Sequence, residues 1–174
     1  IPDSVTSIGN SAFYQCKSLK RITIPDGVKT IGKVAFSGCL SLPSIEVGTG
    51  NVSFTAINGV LFNAEKNLLH NYPAGKKCSN YQIPESVVTI EIGAFEFGNR
   101  LTSITIPDGV TSIGQGAFRN CTSLKSITIG NGVTSIGRVA FGNCSSLTSI
   151  TIPDSVTSIG EWAFGGCSAL TSIT

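Results

Sequence analysis

A phrase of 23 residues occurs three times in succession between residues 101 and 169, and this repetition constrains the fold more than any other feature of the chain. The copies read LTSITIPDGVTSIGQGAFRNCTS, LKSITIGNGVTSIGRVAFGNCSS and LTSITIPDSVTSIGEWAFGGCSA. One copy alone cannot bury its apolar side chains, whereas stacked copies cover one another and share a continuous core. The repeat therefore predicts a solenoid built from 23-residue coils.

The same register extends over most of the 174 residues. With the repeated leucine counted as position 1, residues 1–18 are a unit without its first five positions, residues 19–41 are a complete unit, further units begin at Cys78, Leu101, Leu124 and Leu147, and a stub begins at Leu170. Residues 42–77 interrupt the pattern. We therefore expect one solenoid over residues 1–174, with an irregular repeat at 42–77. Both ends fall within a repeat, which suggests a fragment of a longer protein.

Three segments of each unit predict local structure. The I-x-I alternation at positions 4 and 6 is typical of a strand with one buried face, and the proline and Asp-Gly or Asp-Ser after it end that strand in a turn. V-x-x-I-G predicts a second short strand, closed by a glycine that permits a bend. A-F-x-x-C has helix-like apolar spacing over about one turn. The largest core side chains are the phenylalanines at position 18, namely Phe13, Phe36, Phe95, Phe118, Phe141 and Phe164.

The interruption at residues 42–77 carries two apolar segments, INGVLFN and LLHNYPAGKK, on either side of the polar residues 64–67. Because turn-forming residues between two apolar segments are typical of a hairpin, we expect a β-hairpin insertion on one coil. His70 is then expected to be a solvated residue at the edge of the hairpin. The next unit, at 78–100, is degenerate, with Cys78 in place of leucine and Glu91 in place of the glycine.

The repeat L-x-x-I-x-I-P-x-x-V-x-x-I-G-x-x-A-F-x-x-C-x-x resembles the BspA-like class of leucine-rich repeats along nearly the whole chain, and the phrases IPDSVTSIG and AFxxC are specific to that class. The interruption also resembles an insertion common in the class. The resemblance implies a mainly β, right-handed leucine-rich repeat solenoid with short helical turns. It further implies a secreted or surface-anchored adhesin of host-associated microbes or parasitic protozoa, and it supplies neither a catalytic motif nor a fixed set of ligand contacts.

The composition argues against several classes of function. Charged residues make up 13% of the chain and the formal net charge is +2, so no clustered basic surface predicts nucleic-acid binding. No apolar run is long enough to cross a bilayer, so we expect no membrane insertion. His70 is the single histidine, which leaves catalytic triads and two-histidine metal sites without their members. We therefore expect neither enzymatic activity nor a cofactor.

Two columns of chemically reactive residues each have two explanations. Five cysteines recur at position 21, namely Cys16, Cys39, Cys121, Cys144 and Cys167. Disulfides are common in surface proteins, but parallel side chains do not converge as a disulfide requires, so free, buried thiols are favoured. The acidic residues beside the proline turn are Asp3, Asp26, Glu85, Asp108 and Asp154. They are either turn residues or a calcium site, and Asn131 between the last two favours turns.

Candidate partner-binding residues occupy the outward positions of the first strand, which we expect to line the concave surface of the solenoid: Lys20, Arg21, Thr23, Glu46, Thr102, Thr105, Lys125, Thr128 and Thr151. Threonine also favours strands, so a solvated β surface without a ligand is the alternative explanation. His70 and Tyr72 on the hairpin are further candidates. Trp162, the single tryptophan, is either an exposed anchor for a partner or, as we favour, a residue packed against a neighbouring coil.

Together these observations predict a non-enzymatic adhesion or ligand-binding ectodomain, secreted or at the cell surface. Its expected partners are proteins or glycans of the extracellular matrix, of host cells or of other microbes. A structural spacer that presents another module at the cell surface is the alternative. An artificial array would explain the similarity of the last three repeats, but the degenerate unit at 78–100 argues against it. We also expect that copies can associate through exposed coil ends.

Overall fold

The computed structural model describes residues 1–174 as a β-solenoid of about seven coils, spaced about 23 residues apart, without a helix. Its strands are two to four residues long. In chain order they are β1 (Ser7–Ile8), β2 (Thr23–Ile24), β3 (Thr30–Ile31), β4 (Glu46–Val47), β5 (Phe54–Ile57), β6 (Val60–Asn63), β7 (Leu68–Asn71), β8 (Asn80–Gln82), β9 (Thr89–Ile90), β10 (Ser103–Thr105), β11 (Ser112–Ile113), β12 (Ser126–Thr128), β13 (Ser135–Ile136), β14 (Ser149–Ile150), β15 (Ser158–Ile159) and β16 (Ser172–Ile173).

Each regular coil contributes two short strands that pair in parallel with the equivalent strands of its neighbours. In the first strands, Ser103 lies opposite Asn80 on one side and Ser126 on the other, so β8, β10 and β12 form one sheet. In the second strands, Ile113 lies opposite Ile90. Partners differ by 23 residues because the ladder joins identical positions of successive coils. The solenoid predicted from the repeat is thereby confirmed.

The first strand of each coil alternates between the core and the surface. In β10, Ile104 is buried and Thr105 is exposed, and Ile106 after it is buried again, which is the arrangement that the I-x-I pattern predicts. The proline then ends the strand in a turn, because the Val110 N–H donates to the Pro107 carbonyl at 3.1 Å. The inward isoleucines therefore form the core, while the residues between them form a polar surface.

The A-F-x-x-C segment forms hydrogen-bonded turns in place of the short helical turn expected there. Two residues in each coil have positive φ, for example Val139 (48°) and Asn143 (60°), and left-handed residues so close together prevent a right-handed helix. The segment instead pairs with the neighbouring coil, since the Phe118 N–H donates to the Ala140 carbonyl at 2.7 Å and the same bond recurs along the stack. We call this part of each coil, positions 15 to 21, the turn side.

The glycine at position 14 is required by the close approach of two coils. A Cβ atom on Gly114 would lie 2.7 Å from backbone atoms of the preceding coil, and one on Gly137 would lie 2.6 Å from them, which is closer than real Cβ atoms come. Their φ angles are not in the left-handed region, so the bend that we expected from this glycine does not explain it. The column is glycine because no side chain fits between the stacked backbones.

Residues 42–77 form an antiparallel meander that is built into the stack. The turn at residues 64–67 joins β6 to β7, as expected, and a second turn at residues 58–59 joins β5 to β6. The last strand then pairs in parallel with the next regular coil, where Leu69 lies opposite Ile90. The segment therefore differs from the single hairpin on a coil that the sequence led us to expect, because its strands extend the sheet formed by the second strands.

The meander lies between two hydrophobic cores. The N-terminal core of 11 buried residues contains Leu61, whereas the C-terminal core of 29 contains its neighbours Val60 and Phe62. Because successive side chains of a strand point to opposite faces, β6 contributes to both cores at once. The column of aromatic rings is divided at the same place, with Phe13 and Phe36 stacked on one side.

The ring column of the C-terminal core includes one residue of the meander. Phe95 and Phe118 stack with ring centroids 4.9 Å apart, and Phe141 continues the stack at 5.2 Å. Tyr72 takes the next place, with its ring 5.1 Å from that of Phe95 and its N–H bonded to the Ala94 carbonyl at 2.7 Å. Tyr72 therefore occupies the position of a repeat phenylalanine, although the sequence around it does not match the repeat.

Candidate functional site

The outward side chains of the first strands form one continuous polar surface, which we call the strand face. It contains the candidate residues Lys20, Arg21, Thr23, Glu46, Thr102, Thr105, Lys125, Thr128 and Thr151. All are exposed except Thr102, which is half-buried. Parallel pairing places Thr105 opposite both Gln82 and Thr128, so equivalent side chains of successive coils lie in rows. The structure therefore brings together the strand residues that the sequence predicted as candidates.

Hydrogen bonds between coils order several side chains of the strand face. The Thr23 hydroxyl donates to the Glu46 carboxylate at 3.0 Å, and the Ser103 hydroxyl donates to the Asn80 side chain at 2.7 Å. The three basic residues of the face, Lys20, Arg21 and Lys125, form no ion pair, because both ion pairs of the protein lie on the turn side. The face thus offers ordered hydroxyls together with free positive charges.

His70 and Tyr72 do not belong to any accessible surface. His70 is only 7% exposed, and its Nε2 lies 3.0 Å from the Ile31 carbonyl. Since a carbonyl can only accept, Nε2 carries the proton in this contact. The interpretation of His70 as a solvated edge residue is therefore wrong. Tyr72 is 2% exposed because its ring fills the aromatic column, so neither side chain can contact a partner of the folded protein.

Burial of the meander also changes what a deletion there would do. Residues 58–73 include Val60, Phe62 and Leu69, all of which are fully buried. The sequence favours regarding this stretch as a surface hairpin that can be removed without harm to the fold. The structure contradicts that view, because deletion would open both hydrophobic cores.

Trp162 is exposed on the turn side. Its exposed fraction of 72% contradicts our preference for a side chain packed against a neighbouring coil. The residue borders a groove together with Arg119, Arg138, Val139 and Asn143. The groove was not predicted, because it depends on which coils carry glycine beside the tryptophan, and no motif marks that combination.

The cysteines are free thiols, and four of the column are buried: Cys39, Cys121, Cys144 and Cys167. Each of these thiols donates to a phenylalanine carbonyl of the preceding coil, as Cys121 does to Phe95 at 3.1 Å. Burial raises the pKa of Cys39 to about 11 and that of Cys121 to about 12, so both remain protonated and poorly nucleophilic at neutral pH. Cys16 differs from the expectation of a buried thiol, because it is exposed.

The acidic column bonds to the backbone of the following coil. Asp26 Oδ1 accepts from the Gly50 N–H at 3.0 Å, and Asp108 Oδ1 accepts from the Asn131 N–H at 2.7 Å. These bonds satisfy amide groups in the turns. No group of three or more His, Cys, Asp or Glu side chains converges in the structure. The geometry at these two carboxylates is therefore that of turn residues.

A buried carboxylate joins the two halves of the turn side. Glu96 is 5% exposed, accepts from the Ser37 hydroxyl at 2.6 Å and lies 3.4 Å from Arg119. Burial raises its pKa, although the bond to Ser37 and the charge of Arg119 act in the opposite sense. The sequence did not predict this contact, since Ser37 and Glu96 are 59 residues apart. They meet because the meander passes through the interior and leaves their two coils adjacent on the turn side.

Comparisons with known proteins agree with this architecture. A family model described as "BspA type Leucine rich repeat region" matches residues 1–72 and 70–174, with six copies. A search of the curated proteins finds no significant match. The structure contains no helix that could span a bilayer.

Solved structures of bacterial proteins share the fold. A leucine rich cell surface protein from Faecalibacterium prausnitzii is 35% identical, with a TM-score of 0.88, over 99% of this chain and 52% of that one. The pneumococcal vaccine antigen PcpA is 28% identical, with a TM-score of 0.92, over 99% and 49%. A leucine-rich repeat protein from Eubacterium ventriosum is 30% identical, with a TM-score of 0.73, over 100% and 53%. The chain thus spans about half the length of each of these proteins.

Proposed function

Because this chain belongs to the family of BspA-type leucine-rich repeat proteins, we propose that it is a non-enzymatic ligand-binding module of a secreted or cell-surface protein. The titles of its structural neighbours support the location, since one is a cell surface protein and another a vaccine antigen. Repeat solenoids typically act through extended binding surfaces, which supports a binding role over catalysis. The proposal concerns this module, since the chain spans about half of each neighbour.

The strand face is the observation that carries the proposal. Its rows of hydroxyl groups are held in register by the ladder beneath them, and its basic residues are unpaired. A flat polar face with fixed spacing suits contact with a macromolecule better than with a small molecule, which binds in concave pockets. The proposed partners are proteins or glycans of the extracellular matrix, of host cells or of other microbes.

Charge reversal on the strand face tests this function. The double variant Lys20→Glu with Arg21→Glu changes two exposed residues of the face, and Lys29→Glu with Lys33→Glu is its matched control, because both lysines are exposed elsewhere on the coils. Binding to immobilised fibronectin, laminin and collagen is measured by surface plasmon resonance. We expect the first variant to lose binding by about tenfold or more and the control to bind as the unmodified protein does.

The outcome separates binding from a spacer role. If both variants bind like the unmodified protein, the strand face is not the contact surface and the proposal fails. If the unmodified protein binds none of these partners, the alternative of a structural spacer is favoured. Unfolding temperatures of both variants serve as the control for folding, since exposed charges contribute little to stability.

A further inference from the structure

The most exposed aromatic side chain of the protein lies on the turn side. Trp162 is 72% exposed, although its φ of 57° places it in the left-handed region. This conformation costs a bulky residue about 1–3 kcal/mol, and Gly93 and Gly116 avoid that cost at the equivalent position. Val34 and Val139 also adopt it, but their side chains are half-buried. Trp162 therefore carries the backbone strain without the burial that compensates the valines.

Beside Trp162 the turn side forms a groove of about 330 Å³. Gly142 and Gly165 occupy position 19 of their coils, where the two preceding coils carry Glu96 and Arg119. The floor of the groove is therefore bare backbone. A Cβ atom on Gly165 would lie 2.9 Å from Cε3 of the indole, which shows that the ring lies over this residue. The missing side chains thus create the groove and leave most of the indole open to a ligand.

Two arginines form the rim of the groove, and each is paired with a carboxylate. Arg119 lies 3.4 Å from Glu96 and Arg138 lies 3.4 Å from Glu161, while the arginine side chains stay 47% and 55% exposed. Each guanidinium has five N–H donors and uses few of them in its ion pair. Asn143 adds an amide to the rim. The rim is therefore balanced in charge and offers donors and acceptors side by side.

We propose that this groove binds a neutral sugar residue of a glycan. The C–H face of a pyranose packs on Trp162, because the electron-rich face of the indole attracts weakly positive C–H groups. Vicinal hydroxyls donate and accept at once, so they match the adjacent Arg138 and Glu161. An anionic ligand is repelled by Glu161, and an apolar peptide finds only two hydrophobic side chains, Val139 and Trp162.

The groove and the strand face are separate surfaces, since the groove residues occupy positions 15 to 20 and the strand-face residues positions 2 to 5. The inference adds a carbohydrate site to the proposed binding function without depending on the strand face. The variant with Lys20→Glu and Arg21→Glu is accordingly expected to keep its sugar binding. Failure of one proposal is therefore distinguishable from failure of the other.

Intrinsic fluorescence reports on the groove directly, because Trp162 is the single tryptophan. The protein is titrated with short neutral oligosaccharides of glucose, galactose and N-acetylglucosamine, and with heparin oligosaccharides as the anionic probe. We expect a saturable shift of the emission to the blue with at least one neutral sugar, as the stacked ring shields the indole from water. No saturable change with any neutral sugar, or a stronger response to heparin, overturns the proposal.

Three variants test the groove residues. Gly165→Val fills the floor beneath the indole, and Arg138→Gln removes rim donors; each is expected to weaken sugar binding by about tenfold or more. Arg100→Gln, an exposed arginine outside the groove, is the matched control and should bind within about twofold of the unmodified protein. Equal loss in Arg138→Gln and Arg100→Gln contradicts the assignment. Unfolding temperatures identify any variant that fails to fold, and calorimetry of Trp162→Ala supplies a readout that does not need the indole.

Discussion

The coils at 101–169 and the meander at 42–77 lie in one stack but build it differently. In the coils, a side chain rests on its equivalent 23 residues away, as the rings of Phe118 and Phe141 do at 5.2 Å. In the meander, neighbouring residues of β6 face opposite ways, so that Leu61 packs in the N-terminal core and Phe62 in the C-terminal core. A repeat can therefore be replaced by a strand buried on both faces when that strand is paired along both edges.

The same comparison explains a substitution that the regular repeat forbids. Gly114 and Gly137 leave no room for a Cβ atom because another coil lies against them. Glu91 stands in the same column without such a clash, because the segment preceding it in the stack is β7 of the meander and not a regular coil. The degenerate unit is thus degenerate where its neighbour is different.

The largest expected effect tests whether the meander is part of the core. Phe118→Ala and Phe62→Ala each remove a fully buried ring, and each is expected to lower the free energy of unfolding by about 3–5 kcal/mol. Urea unfolding followed by circular dichroism measures both. The control is Val52→Ala, an 82% exposed residue of the same segment, which should change the free energy by less than about 0.5 kcal/mol. A small effect at Phe62 alone would show that the meander is a dispensable insertion.

An intermediate effect is expected where two coils touch. Gly137→Ala places a Cβ atom 2.6 Å from the preceding backbone, and we expect it to lower the free energy of unfolding by about 1–3 kcal/mol. Gly9→Ala is the matched control at the same repeat position, where nothing lies within 4 Å. It should be neutral or slightly stabilising, by less than about 1 kcal/mol, since alanine restricts the unfolded chain. Equal effects at the two sites would contradict the close approach of the coils.

The smallest expected effect concerns pH and the buried histidine of the meander. Burial lowers the pKa of His70 below its usual 6.5, although the Ile31 carbonyl and the charge of Glu91 oppose this. The unfolded chain then binds a proton more readily than the folded one, so stability should fall as the pH drops through about 6.5. Urea unfolding at pH 7.5 and pH 5.5, both within about 1.5 pH units of that pKa, measures the loss.

The variant His70→Gln isolates this histidine from other titrating groups. Glu96, whose pKa is raised by burial, acts in the opposite sense over a lower pH range, but it is present in both proteins and cancels in the comparison. We expect the difference in stability between the two pH values to shrink in the variant. An unchanged difference would mean that His70 is solvated after all.

Much of the candidate site could be predicted from the sequence, and the exceptions have physical reasons. Thr105 and Thr128 were predicted to face outward because the strand period is two, and this holds wherever a strand pairs with its equivalents. His70 and Tyr72 were misplaced because their burial depends on what the meander packs against. Trp162 was misplaced because its exposure depends on the glycine beneath its ring. Neither property is written in the local pattern.

The sequence by itself determined the solenoid, the register of its coils and the inward side chains, because a 23-residue period lets one local solution repeat along the stack. Only the tertiary structure decided how the meander joins two cores, which glycines separate coils and which surfaces are free. These features arise between residues far apart in the chain, such as Ser37 and Glu96, which are brought to 2.6 Å by the interior path of the meander. Periodicity specifies contacts between equivalent positions, whereas contacts between unlike positions depend on packing in three dimensions.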